Sequence, residues 1–423
     1  MLKTITLGFY FCLAFNLAHS QTIADSLLNA GNTFYKKHDY LHAGEIWRQA
    51  AEAAENKISR QANYFYAAHA FAEGKDSLNA FNCLELAITK NGFNDLPALQ
   101  DENCFGFMNT SVRWLKLVHS IKPAYSHNPA NAKIIDTDVR NFWASDDMVQ
   151  KDSANVLSIY KEYYFDKGSL ALQDYYVNKL GANIYTFAYV HRKKEKFYRS
   201  IRANTLKATD YSAYFKRSFT QLKQVYPKAI FPNVYFVIGK LNSAGTSGSN
   251  GLIIAIDQIC KTSTTDTTEL ENWELHYLNS FSNLPATVAH ELIHFQQNGM
   301  ASDTSLLKAA IVEGMADFLG ELIAGQSANT KLQQFAKGKE RLIWSRFKAD
   351  MYLDKANSWI GNGEQDKPDW PSDLGYWVGY EICKCFYENA ADKKKAIDDM
   401  LHIQDYNKFF TDSWFEQKAN NWP

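Results

Sequence analysis

Asn283-Leu284-Pro285-Ala286-Thr287-Val288-Ala289-His290-Glu291-Leu292-Ile293-His294-Phe295-Gln296-Gln297-Asn298-Gly299 is the stretch on which the reading of this chain turns. A proline in the first turn and a glycine just past the end are the punctuation of a single helix. His290 and His294 stand four residues apart, so their imidazoles lie one above the other on one face and can share one zinc ion. Glu291, three residues before His294, is close enough to take a proton from a water held by that ion. Zinc in a catalytic site needs a third protein ligand and an open position beside it.

The next helix supplies a candidate ligand. Asp303, Thr304 and Ser305 are good caps for its start and Gly325 for its end, which puts Glu313 in the middle. Leu306, Leu307, Ala310, Ile311, Phe318, Leu322 and Ile323 make the helix otherwise apolar, and a carboxylate in such surroundings is costly without a cation. An ordinary surface ion-pair stripe would set Lys or Arg at helical spacing from Glu313. Ala310, Ala316 and Asp317 occupy those places instead. Asp317, one turn on, is placed to accept the other ring N–H of a ligand histidine and fix its tautomer. Gly314, Ala316 and Gly320 let this helix and the one carrying His290 and His294 approach closely.

Upstream, Val234 to Gly239 and Leu252 to Ile256 are β-branched and aromatic runs that read as buried strands. Ser243 to Gly251 between them reads as a flexible Ser/Gly loop, and Lys261 to Thr268 as a Thr-rich loop. A small sheet followed by helices predicts a mostly helical α+β domain. Downstream, Tyr376 and Tyr380 fall on a helix that begins near Pro371 and Asp373. The other histidines, among them His69, His119, His191 and His276, have no partner at metal spacing and read as structural. No Gly-rich phosphate loop and no Gly-x-Ser-x-Gly elbow is present.

His290 to His294, eighteen intervening residues, and then Glu313-Gly314-Met315-Ala316-Asp317 resemble the gluzincin clan of metallopeptidases, in the spacing of its aminopeptidase branch. The wider stretch, with the two strands, the Ser/Gly loop and Asp373 to Tyr380, is similar to the predicted zinc-dependent proteases that include gliding-motility-associated proteins of the Bacteroidetes group. The resemblance implies a thermolysin-like catalytic core, one zinc ion on His290, His294 and Glu313, Glu291 as general base and Asp317 as partner of a ligand histidine. It also implies a tyrosine that hydrogen-bonds the oxyanion, with Tyr376 the leading candidate and Tyr380 the other. The exopeptidase signature Gly-x-Met-x-Asn is missing, which favours endopeptidase action.

The rest of the chain frames this domain. At 423 residues it exceeds what one core usually organises. Its 45 basic and 46 acidic residues nearly cancel, and no basic block interleaved with aromatics marks a nucleic-acid surface. Lys3, the apolar run from Ile5 to Leu17, and small residues at Ala18 and Ser20 read as a secretory leader cleaved after Ser20. The run is shorter than the roughly 20 apolar residues of a membrane span. Cys12 lacks the small residues a lipoprotein signal sets before its cysteine. Five cysteines then remain. Cys83 and Cys104, in one helical region, could bridge in an oxidising space, but buried thiols are the plainer expectation. After the leader, Phe34 matches Phe71, Ala43 matches Ala80, Trp47 matches Leu84 and Ala50 matches Ala87, all at an offset of 37. That spacing predicts tetratricopeptide-like helix pairs. The expected organisation is a leader over 1–20, a helical arm over 21–122, a helical connector region over 123–226 and a metallopeptidase domain over 227–423.

The function expected from these residues is secreted or periplasmic hydrolysis of a peptide or protein substrate by a zinc-activated water, with no nucleic-acid partner and no membrane span in the mature chain. The rival is a non-catalytic interaction protein of the cell envelope, in which the helical arm binds a protein partner and zinc only stabilises the fold. Structural zinc sites usually have four protein ligands, and here only three are evident.

Overall fold

The computed structural model of the protein describes residues 23–101, 103–297 and 299–422; the leader read over 1–20, with Cys12, lies outside them. The chain forms two compact units, Met1–Ala124 with Tyr176–Asn178, and Tyr125–Tyr175 with Lys179–Pro423.

The first unit is helical. Tyr40–Ala53 packs on Lys57–Glu73, which is followed by Ser77–Glu85. Asn56 and Asp76 start the latter two helices, each accepting a backbone N–H three residues on. The positions that repeat at an offset of 37 are the packing positions. Ala43, Ala80, Trp47, Leu84, Ala50, Ala87 and Phe71 are all buried, and Phe34 packs against their cluster. Small residues on facing helices allow close approach, and the aromatic rings fill the space between them.

The second unit is built on a four-stranded sheet of β1 (Ile134–Ile135), β2 (Val234–Val237), β3 (Gly245–Gly248) and β4 (Gly251–Ala255), in the order β1-β2-β4-β3. β1, β2 and β4 run parallel, and β3 pairs antiparallel with β4. Every residue of β4 is buried, as a central strand covered on both faces requires. The segment expected to be a loop therefore contains a strand. Serine and glycine hide its propensity, but Gly251, at φ +124°, turns the chain tightly enough to lay Gly245–Gly248 along the apolar β4. In consequence β4 has neighbours on both sides, and the sheet edge beside Glu291 belongs to β3.

Helices from the region before the sheet hold its strands in place. Tyr164 Oη donates to Ile238 O at 2.7 Å and accepts from Ile238 N at 2.8 Å. His191 Nε2 donates to Gly239 O at 2.8 Å, and Tyr175 Oη donates to Ser243 O at 3.0 Å. Burial pushes the His191 imidazole down to about 3, so it stays neutral in its aromatic surroundings. Asp257, pushed up to about 6 by burial, accepts from the N–H groups of Gly239 and Leu241 and fixes the entry to β3. Residues 125–175 and 179–226 thus fold with 227–423 in one unit.

Three helices complete the frame of the site: Leu284–Gln296, Leu306–Ala324 and Leu374–Asn389. Ser305 caps the second by accepting from Lys308 N at 3.2 Å, and Gly325, at φ +75°, ends it in a left-handed turn. Gly314 of the second helix meets Gly379 of the third backbone to backbone, where an added Cβ would lie 2.0 Å from Gly379 C and Tyr380 N. Gly320 faces His290 of the first helix less tightly, its Cβ position being 3.2 Å from His290 N. Cys83, Cys260, Cys383 and Cys385 are buried thiols outside any disulfide.

Candidate metal centre

The three expected ligands converge. One donor atom from each of His290, His294 and Glu313 lies within 4.8 Å of the other two, and no other such group occurs among the described residues. The two Nε2 atoms are 3.0 Å apart, and Glu313 Oε2 is 3.6 Å from that of His290 and 3.3 Å from that of His294. Both rings are oriented from behind. Asp317 Oδ1 accepts from His290 Nδ1 at 2.8 Å, and Asp317 is itself held by Asn329 Nδ2 on its other oxygen at 2.7 Å. Gln297 Oε1 accepts from His294 Nδ1 at 2.7 Å. The orientation of that amide is set because its Nε2 donates to Val312 O at 2.8 Å.

These tethers decide the chemistry of the donor set. With both Nδ1 positions protonated, two Nε2 lone pairs and a carboxylate oxygen face one another across a partly buried space. Only a cation relieves that repulsion. Two neutral imidazoles and one carboxylate are donors that zinc accepts, so the residues fit the ion. With a proton as the only cation, the same arrangement leaves its mark on the titration of the cluster. Burial disfavours the charged imidazole of His290, but Asp317 and Glu313 outweigh it and hold the ring well above its ordinary value. For His294 burial is likewise outweighed, chiefly by Glu313, and the ring titrates above its usual range. Burial would raise Glu313, yet the two histidines hold it well below the usual carboxylate range.

Glu291 is in the same cleft, a space of about 550 Å³ that also takes in Gly245, Thr246 and Tyr376. A Cβ at Gly245 would lie 2.5 Å from Glu291 Oε1, so the absence of a side chain on β3 is what makes room for this carboxylate. The Tyr376 ring stacks on His290 at 6.2 Å between centroids, within the electrostatic reach of Glu313. Burial, then the charge of Glu313, pushes that phenol well above its ordinary value. Tyr380 faces elsewhere, packed edge-on against Phe318 at 5.7 Å. Gln297, Asn329 and Gly245 had no assigned role in the sequence. Gln297 sits three residues after a ligand histidine, a spacing that could have pointed to it; nothing local marks Asn329, which reaches Asp317 from a loop.

The family description "Gliding motility protein GldB" matches residues 119–417. The chain belongs to that family. No curated protein and no solved structure matches it. The match corrects the resemblance to gluzincin metallopeptidases and to predicted zinc-dependent proteases. HExxH with a distant Glu constrains a handful of positions on two helices, and such a local pattern does not carry membership in a clan. The family match, by contrast, draws on the whole fold around those helices. The fold is mostly helical with small sheets. The GldB family is one of lipoproteins, which fits a location at the cell envelope. Among the described residues no helix is long and apolar enough to cross a membrane.

Proposed function

We propose that this GldB-family chain is a zinc-binding protein of the cell envelope that acts through a protein partner, with His290, His294 and Glu313 holding one ion that stabilises the second unit. The observation that carries the zinc assignment is the convergence of two outward-tethered imidazoles and a carboxylate within 4.8 Å. The family supports the envelope role, and the helical first unit is the surface offered to a partner. Removing zinc with a chelator should lower the melting temperature of the wild type and leave Glu313→Gln unmoved. Identical melting of the two proteins with and without chelator would remove the ion from the account.

A second reading is favoured by one feature that stabilisation does not use, the Glu291 carboxylate standing in the cleft beside the Gly245–Gly248 edge. In this reading the chain hydrolyses a peptide bond. A bound zinc ion supplies Lewis acidity toward water and a carbonyl oxygen. Glu291 takes the proton of the attacking water and passes it to the leaving amine. Tyr376, beside His290, donates to the oxygen that becomes negative. The edge of β3 aligns an extended substrate by backbone pairing. Mass spectrometry of a mixture of unstructured peptides incubated with the zinc-loaded chain, beside Glu291→Gln, separates the two readings. Cleavage by the wild type that vanishes in the variant establishes the hydrolase and gives its endo or exo preference. No cleavage, with zinc confirmed bound, leaves the interaction role.

A further inference from the structure

The walls of the cleft carry two lysines that neither reading above uses. Lys308 lies in the first turn of the Glu313 helix. It is five residues before the ligand, hence about 7.5 Å from it along the axis, and one turn before Val312, which lines the same cleft. Lys179 stands on the opposite, sheet side, where its carbonyl accepts from Asn242 Nδ2 at 2.7 Å, close to the start of β3. Among the described residues neither ammonium has a carboxylate at ion-pair distance. Asp303 feels the charge of Lys308, but its carboxylate accepts from the Ser305 N–H at 2.6 Å.

The charge balance of the cleft follows. Its lining holds two carboxylates, Glu291 and Glu313, and two lysines, so a divalent ion makes the lining itself net positive, with Asp317 behind His290 and Asp303 both outside the lining. A cleft of low net polarity would suit an apolar side chain; this one attracts anions and focuses their approach between the two lysines. The unpaired edge of β3, whose Thr246 and Ser247 line the same space, gives an extended backbone something to pair with. We propose that the cleft takes an acidic peptide segment, with Lys179 and Lys308 reading carboxylates on either side of the metal cluster. The proposal rests on the zinc assignment for its charge balance and holds for a segment that is bound or one that is cut.

The test is fluorescence anisotropy of the zinc-loaded full chain with a labelled glutamate-rich peptide and its glutamine counterpart. Zinc content is measured on the same samples. The glutamate peptide should bind about tenfold tighter, the preference should weaken with added salt, and Lys179→Gln with Lys308→Gln should abolish it without loss of zinc. Equal affinity for the two peptides at one zinc per chain overturns the proposal and leaves the zinc assignment standing. A preference that survives the double substitution overturns the role of the lysines. An anionic polysaccharide that binds while the glutamate peptide does not would overturn the choice of a peptide. Protein that retains no zinc would sink the metal assignment and, with it, the charge balance on which this proposal rests.

Discussion

Gly314→Ala probes a backbone-to-backbone helix contact. The added methyl would sit 2.0 Å from Gly379 C and Tyr380 N, where ordinary contact needs more than 3.4 Å. Both atoms are backbone, so no side chain can swing away, and the helices Leu306–Ala324 and Leu374–Asn389 must part by more than 1 Å. Overpacking of that kind costs about 3 kcal/mol, at the upper end of what small-to-large core changes produce. For a unit of this size the loss corresponds to a fall of about 6 °C in melting temperature. The same displacement draws Tyr376 away from His290 and Glu313, so zinc affinity should fall as well. Thermal unfolding followed by near-ultraviolet circular dichroism reads the first effect, and competition with a chromophoric chelator reads the second. Gly248→Ala, whose Cβ meets nothing nearer than Asp174 Oδ2 at 3.8 Å, is the control and should melt like the wild type. A Gly314→Ala protein that melts within about 1 °C of the wild type would refute the backbone-to-backbone packing from which the cost was reasoned.

Three further outcomes follow from the same geometry. Asp317→Asn keeps the shape behind His290 but removes the charge that fixes its ring, and should weaken zinc binding about 10- to 100-fold in a chelator competition; an unchanged affinity would show that Asp317 does not orient the ligand. Gly245→Ala should push the Glu291 carboxylate aside while retaining one zinc per chain, and under the hydrolytic reading should lower kcat/KM by about 100-fold; unaltered turnover would mean the approach of β3 to Glu291 is unimportant. His276 sits between Asp366, at 3.1 Å from its Nδ1, and Asp373, and hydrogen-bonds Ser372 at 2.7 Å. Asp373 and Asp366 outweigh burial and raise its imidazole above the ordinary value. A raised histidine contributes stability that is complete below the unfolded pKa of about 6.5 and is lost as pH rises through the folded value. The gap in melting temperature between wild type and His276→Asn should therefore shrink with rising pH; a gap that widens would reverse the sign of the argument.

Much of the site was legible because its signals are local. Helix periodicity sets His290 over His294 and Asp317 one turn beyond Glu313, and caps such as Ser305 and Gly325 give the helix limits directly. The buried runs that became β2 and β4 were equally plain. What could not be read depends on contacts far apart in sequence. The Gly245–Gly248 strand has no propensity of its own and exists because β4 offers a partner, so the sheet ends at β3. Gly314 was read as room for the helix carrying His290 and His294, but which helix fills it is a matter of tertiary arrangement, and it is the one bearing Tyr376. Tyr376 was the leading candidate and Tyr380, one turn on, the other; packing sends the first to His290 and the second to Phe318. The clan resemblance failed for the opposite reason: a strong local motif was asked to speak for a whole fold.

The central claim, that His290, His294 and Glu313 form one zinc site, is tested most directly by metal analysis of the purified chain after exhaustive dialysis against zinc-buffered solution. The wild type should retain one zinc per chain and Glu313→Gln, still folded by circular dichroism, should retain far less. A folded wild type without zinc, or equal zinc in both proteins, would contradict it.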